Sequence, residues 1–317
     1  MPNVSILIPS YRPDYFEECL ESALGQSYGD LEIIVSDDCP TNAIERIVLR
    51  RSDARVQYGR NPTPRHYASN RDNLVRNARG RYLKFLFDDD VLYPNSVEML
   101  VRAIDATGLG MAFHHRHVID ASGNLIAAPE VIAPGSMGIL PPEYVFQGMI
   151  RHQANTIGEP SNVLVDAQTL AGVDYPFEIE GRPSRFLADV AMYYNLARCG
   201  HSFAVVGEFG SAFRQHANQN SHQSAPGFAA GIFEWETLAR GACAAGKLPM
   251  DMYADALRGV HANYRAFQKL HPMFGRFLAL EPGLTPETAL HAEFFRVLDT
   301  AYLEVDARRL GGRAFAQ

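Results

Sequence analysis

"KFLFDDDVLYP", Lys84 to Pro94, sets three consecutive carboxylates at the mouth of an apolar run. Adjacent anions repel, so Asp88, Asp89 and Asp90 imply either a solvated turn or a place where a cation and its ligand bind. The residues on either side narrow the choice. "RYLKFLF" reads as a strand that stops at the acidic run. "NSVEMLVRAIDATG" reads as an amphipathic helix, with Asn95 as its N-cap and Gly108 near its end. Further out, "VSILIP" and "LEIIVSDD" are β-branched strands and "RVQYG" a minor one. "DYFEECLESALGQS", "NAIERIVLR" and "NRDNLVRNA" carry helical periodicity between them.

Strands alternating with helices predict a parallel-rich α/β sheet, and such sheets bind ligands beyond the carboxyl ends of their strands. Pro9–Arg12, Asp37–Asp38 and Asp88–Asp90 each lie just past a strand end and so share one expected crevice. After Gly110, "GMAFHHRHVIDASGNLIAA" reads as a hairpin turning at Ser122–Asn124. A loop follows, with a helix starting near Pro142. "EPSNVLVDAQTLAGV" then reads as a strand and short helix, and "RFLADVAMYYNLARCGHSFAVVGE" as a helix closed by Gly200 and then a strand. Past Ala225 three helical segments are expected, near Phe228–Ala245, Asp251–Lys269 and Pro286–Arg309. The expected division is therefore a catalytic domain over residues 1–224 and a helical extension over 225–317.

Of 317 residues, 47% are hydrophobic and 21% charged, and the formal net charge is −7. That balance argues against a protein built to wrap nucleic acid or coat an anionic membrane. Four scattered cysteines without CxxC spacing argue against a disulfide framework or a zinc site. No apolar run approaches the roughly 18 residues that span a bilayer. A cytoplasmic protein is expected, with at most peripheral membrane contact; the basic end "DARRLGGR" is a weak candidate for it. On a strand, His115 and His117 share a face and His114 points the other way. That triplet is read as polar strand residues rather than a metal site.

Five ordered elements resemble glycosyltransferase family 2, whose catalytic domain has the GT-A fold. "VSILIPSYRP" resembles the opening strand of that family, and "LEIIVSDDCPTN" resembles its "EIIVVDDGSTD". "NRDNLVRNARGRYLKFLFDDDVLYP" resembles "ARNxGLxxAxGEYIxFLDxDDxxxP". "ADVAMYYNLARCG" resembles "EDxDLxLRLxxxG", and "FRQHANQNS" resembles "YRxHxxSxS". The resemblance runs from about Val4 to Ser221. It implies an inverting transferase that uses a nucleotide-sugar donor, a UDP-sugar first among them, and Mn²⁺ or Mg²⁺. The acceptor would be a saccharide or lipid-linked saccharide. Asp189 matches the general base. Pro9, Tyr11, Asp38, Arg71 and Asp88 match donor-nucleotide positions, and Asp89 and His216 metal positions. Asp37, Asp90 and Arg214 are additional candidates, Arg214 for the diphosphate. Phe87 stands where the family carries the first Asp of its DxD, and Ala188 where it carries a Glu before the base. A catalytically degenerate nucleotide- or glycan-binding module therefore remains an alternative. A sugar-phosphate nucleotidyltransferase is disfavoured, because "PSYRPDY" lacks the Gly-rich phosphate loop of those enzymes. A homodimer through the C-terminal helices is also expected.

Overall fold

Ten strands build one mixed sheet in the computed structural model, which describes residues 2–61, 67–219 and 222–314; side chains at 67–69, 226 and 310–314 lie outside the description. In chain order the first elements are β1 (Val4–Ser10), α1 (Phe16–Leu24), β2 (Leu31–Asp37), α2 (Ala43–Arg51), β3 (Val56–Arg60), α3 (Tyr67–Asn77) and β4 (Tyr82–Phe85). Then come β5 (Val91–Leu92), α4 (Ser96–Thr107), β6 (Met111–Ile119), β7 (Leu125–Ala127), β8 (Met137–Leu140), β9 (Val163–Asp166) and α5 (Ala167–Ala171). The remainder is β10 (Glu178–Ile179), β11 (Arg182–Pro183), α6 (Ala188–Arg198), β12 (Phe203–Arg214), α7 (Pro226–Ala244), α8 (Met250–Phe267), α9 (Phe274–Leu278), α10 (Pro286–Ala289) and α11 (Ala292–Ala314).

The sheet runs β3-β2-β1-β4-β9-β6-β12-β5, with β7 on β6 and β8 on β12. β1 pairs in parallel with β2 and β4, and β2 with β3. β9 is antiparallel to both β4 and β6, so β6 points the same way as β4; β12 is parallel to β6. The carboxyl ends of β1, β2, β4 and β12 thus meet one sheet edge. Helices cover the strands, which explains their continuous apolar runs. Val4, Ile6 and Ile8 of β1 pack with Phe16, Cys19, Leu20 and Ala23 of α1 and with Leu100 and Ile104 of α4 in one buried cluster.

Two compact units divide the chain, and the division does not follow a single cut. The first comprises Met1–Leu140, Ile157–Gly172 and Ser202–His216 and holds the whole ten-stranded sheet. The second comprises Pro141–Thr156, Val173–His201 and Ala217–Gln317. The helical region thus takes in two inserts that the expected boundary at 224/225 assigns to the catalytic domain. Within the second unit, α7 is buried along most of its length, and α8 packs Tyr253, Leu257, Val260 and Tyr264 inward. Phe294, Leu298, Ala301 and Tyr302 of α11 are buried, as their spacing predicts. A buried ion pair joins Glu236 to Arg240 at 2.6 Å, and the Tyr264 hydroxyl donates to Glu236 at 2.6 Å.

Three local expectations need correction. Asn95 stands at the N-cap of α4 but makes no side-chain cap; the Val97 N–H donates instead to Gln26 Oε1 at 3.0 Å. The helix expected near Pro142 is a π-helical segment, Tyr144–Ile150. The helical tail holds two further short helices, α9 and α10.

Candidate functional site

The three carboxylates after β4 meet three different surroundings. Asp88 Oδ2 accepts the backbone N–H of Tyr11 at 2.7 Å and of Arg12 at 2.9 Å, pinning the β1–α1 loop to the end of β4. Asp90 is fully buried: Oδ2 accepts from the Ser161 hydroxyl at 2.5 Å and Oδ1 from the Arg214 N–H at 3.1 Å. Asp89 is 23% exposed on its side chain, with Oδ2 3.1 Å from His216 Nε2. His216 follows β12, and its ring lies 5.2 Å from that of Tyr15. Two residues read as metal positions from widely separated motifs are therefore side by side.

Burial, and then charge crowding, bears on the protonation of this turn. Burial, then Asp89, pushes the Asp88 carboxyl up to about 7, while the Tyr11 and Arg12 amides pull it back. Burial and then Asp89 also raise Asp90. Burial raises the Cys19 thiol, and all three aspartates add to the rise. Positive charge placed at Asp89 would relieve this repulsion.

Arg214 is engaged within the first unit. Its side chain is 2% exposed and lies 4.6 Å over the Tyr15 ring. It donates to the Asp89 carbonyl at 3.0 Å and to Glu18 at 2.5 Å. A guanidinium engaged in this way holds the backbone of Asp89. Asp37 is likewise turned inward, its oxygens accepting from the Cys39 N–H and the Tyr58 hydroxyl, both at 2.7 Å. Asp38 lies beside it with its N–H donated to the Ser10 carbonyl at 2.7 Å and Oδ1 accepting from Asn61 Nδ2 at 3.2 Å. Pro9 and Tyr11 line the same strand end. Arg71, on α3, is buried and donates to Asp72 at 3.1 Å.

Asp189 belongs to the second unit, in the first turn of α6. It is not the N-cap, a position held by Leu187. Asn155 Nδ2 donates to Asp189 Oδ2 at 2.7 Å and so orients the carboxylate. Ser161, Glu18, Tyr15 and Asn155 escaped the sequence reading, because each acts through a partner far away in the chain. Residues 220 and 221, the end of the "FRQHANQNS" motif, lie outside the described residues.

Among the described residues, no three His, Cys, Asp or Glu side chains are grouped to hold an ion by themselves. One carboxylate and one imidazole within 3.1 Å nevertheless fit a Mg²⁺ or Mn²⁺ that draws its other ligands from phosphate and water. Each ring of the histidine triplet meets a neighbour within the first unit. His114 is buried against Ser96 Oγ at 2.7 Å, His115 accepts the Val131 N–H at 3.0 Å, and His117 stacks on Phe209 with centroids 4.1 Å apart.

A mixed sheet with acidic residues along one carboxyl edge fits the GT-A fold. The sequence pattern of glycosyl transferase family 2 matches residues 5–175, more than half of the chain, and the chain belongs to that family. Over 118 residues it is 28% identical to the Escherichia coli UDP-Glc:alpha-D-GlcNAc-diphosphoundecaprenol beta-1,3-glucosyltransferase WfgD, covering 37% of this chain and 47% of that one. Over 129 residues it is 31% identical to the Campylobacter jejuni GalNAc(5)-diNAcBac-PP-undecaprenol beta-1,3-glucosyltransferase, covering 39% and 41%. The matched region thus spans less than half of these relatives. The crystal structure of S. aureus TarS 1-349 superposes with a TM-score of 0.63 at 15% identity, covering 98% of this chain and 92% of that one. At that identity the likeness speaks for the fold, GT-A with C-terminal helices.

Proposed function

We propose that the protein moves a sugar from a nucleotide-sugar donor, a UDP-sugar in the leading reading, to a hydroxyl of a glycan, lipid-linked saccharide or surface polysaccharide, inverting the anomeric carbon. The observation that carries this reading is the Asp89–His216 pair, 3.1 Å apart on the sheet edge that also carries Asp38. Asp89 and His216 would hold the Mn²⁺ or Mg²⁺, which when bound neutralises the charge growing on the diphosphate leaving group. Asp38 accepts hydrogen bonds from the base or ribose, with Pro9 and Tyr11 shaping the pocket. Arg71 flanks the base or diphosphate. Asp88 and Asp90 position the loops around Asp89 through the bonds described above.

In this reading Asp189 takes the proton from the acceptor hydroxyl as the new bond forms, held in orientation by Asn155. The names of the two bacterial relatives, both specifying diphosphoundecaprenol or PP-undecaprenol substrates, support a lipid-linked acceptor. No described helix is long and apolar enough to cross a membrane. A homodimer through the C-terminal helices is the less supported part. The apolar stripe of α11 is spent inside its own unit, and Leu303, 72% exposed, stands outside it.

The test is a pair of substitutions. Asp189→Asn is expected to keep UDP affinity while transfer falls by roughly 10²–10⁴-fold, the usual contribution of a general base. Asp89→Ala is expected to abolish the Mn²⁺-dependent part of UDP binding in calorimetry. Normal transfer by the first variant removes the base assignment; normal Mn²⁺ dependence in the second removes the metal assignment.

A further inference from the structure

Glu234 is the one carboxylate on α7 aimed at the segment leading into α6. It is fully buried, and burial pushes it up while the three amides and the Tyr302 hydroxyl that it accepts from pull it back. One oxygen accepts the N–H of Arg185; the other accepts those of Phe186 at 3.1 Å and Leu187 at 2.7 Å. Three successive amides thus converge on the two oxygens of one carboxylate. Leu187 is the N-cap of α6, and Asp189 lies two residues further on.

The rest of the grip comes from α11 and α7. Tyr302 on α11 donates its hydroxyl to Glu234 at 3.3 Å, and the Arg185 guanidinium lies 4.3 Å over the Tyr302 ring. Arg309 donates to the Arg185 carbonyl at 2.9 Å. Gly231 on α7 allows close approach, since a β-carbon there would stand 2.6 Å from the Phe186 ring. Every residue from Arg185 to Leu187 is thereby tied to the C-terminal helices, and the first turn of α6 continues directly from them.

We propose that Glu234 is a positioning residue for transfer: its carboxylate fixes the entry into α6 and, through it, the aim of Asp189. This gives the helical extension a part in the reaction, and it rests on the reading of Asp189 as general base. A base must be held to within about 0.5 Å of its productive position, and about 1 Å of error can cost on the order of 10²-fold in rate. Glu234→Gln replaces one acceptor oxygen by an NH₂ that faces an N–H, loosening the anchor with little change of volume.

The experiment uses the full chain with Mn²⁺, UDP-glucose or UDP-GlcNAc as donor, and a diphospholipid-linked GlcNAc as acceptor. Glu234→Gln is expected to lower kcat by roughly 10- to 100-fold while the UDP dissociation constant stays put. Combined with Asp189→Asn, it is expected to be no slower than Asp189→Asn alone, because both changes act on one proton transfer. Unchanged kcat, losses that multiply in the double variant, or a parallel loss of UDP affinity would each overturn the proposal. If Glu234→Gln does not fold, Tyr302→Phe removes one donor to the same carboxylate. A smaller, equally non-additive loss of kcat then supports the proposal, and wild-type kcat sinks it. Normal transfer by Asp189→Asn alone, or no turnover of either donor by the wild type, defeats the underlying reading instead, and the proposal with it.

Discussion

Lys84 lies beneath the acidic turn with no exposed surface, donating to the carbonyls of Ser161 at 2.8 Å and Val163 at 3.4 Å. Burial pulls it down from an ordinary 10.5 to about 7, and Asp90 pushes it back up. His114 is also buried, and burial and then Lys84 hold it well below the usual histidine range. Between about pH 7 and 10.5 the unfolded chain therefore binds more protons at residue 84 than the folded one, so this site adds stability as pH rises through that window. Against Lys84→Met in urea unfolding, the wild type is expected to gain up to roughly 2 kcal/mol between about pH 7 and 9, since one proton contributes at most about 1.4 kcal/mol per pH unit. A pH-independent difference between the two would refute the buried titration. The same residues show what a sequence reading reaches. Acidity after a strand was legible, but the partner of each aspartate was not: Asp88 accepts from amides 76 and 77 residues away, and Asp90 from groups 71 and 124 residues away.

Elements with a clear period were legible; those without were not. β1, β2, β4, α1 and α4 stood out because each repeats apolar residues over several turns or pleats. β5, at two residues, and the β10–β11 ribbon are too short to show any period, and they exist only because a partner strand or helix lies alongside. Gly80 shows how closely elements can meet at such joints. Its N–H donates to Ser5 Oγ at 2.8 Å, which in turn donates to Glu32 at 2.7 Å. A β-carbon there would stand 2.5 Å from the Ser5 backbone nitrogen. Gly80→Ala is therefore expected to cost about 1–3 kcal/mol in urea unfolding by forcing β1 and the start of β4 apart. A variant as stable as the wild type would mean that the joint yields without strain.

At the scale of the molecule, a ligand that binds only the folded chain must stabilise it. UDP with Mn²⁺ at a hundredfold excess over the dissociation constant is expected to add about 2.7 kcal/mol and raise the thermal midpoint. Asp89→Ala should retain at most the metal-independent part of that rise. A midpoint that ignores UDP and Mn²⁺ in the wild type would count against a nucleotide site altogether. By itself the sequence determined the strand–helix alternation, the family, and the residues standing at strand ends, because those follow from local periodicity and short motifs. Only the tertiary structure decided that Asp89 and His216 meet, that Arg214 and Asp37 turn inward, that residues 141–156 and 173–201 pack with the tail, and that Glu234 grips the approach to Asp189. The reason is physical: hydrogen bonds and burial are settled by groups scores of residues apart, and no local pattern encodes which of several equivalent carboxylates finds a partner first.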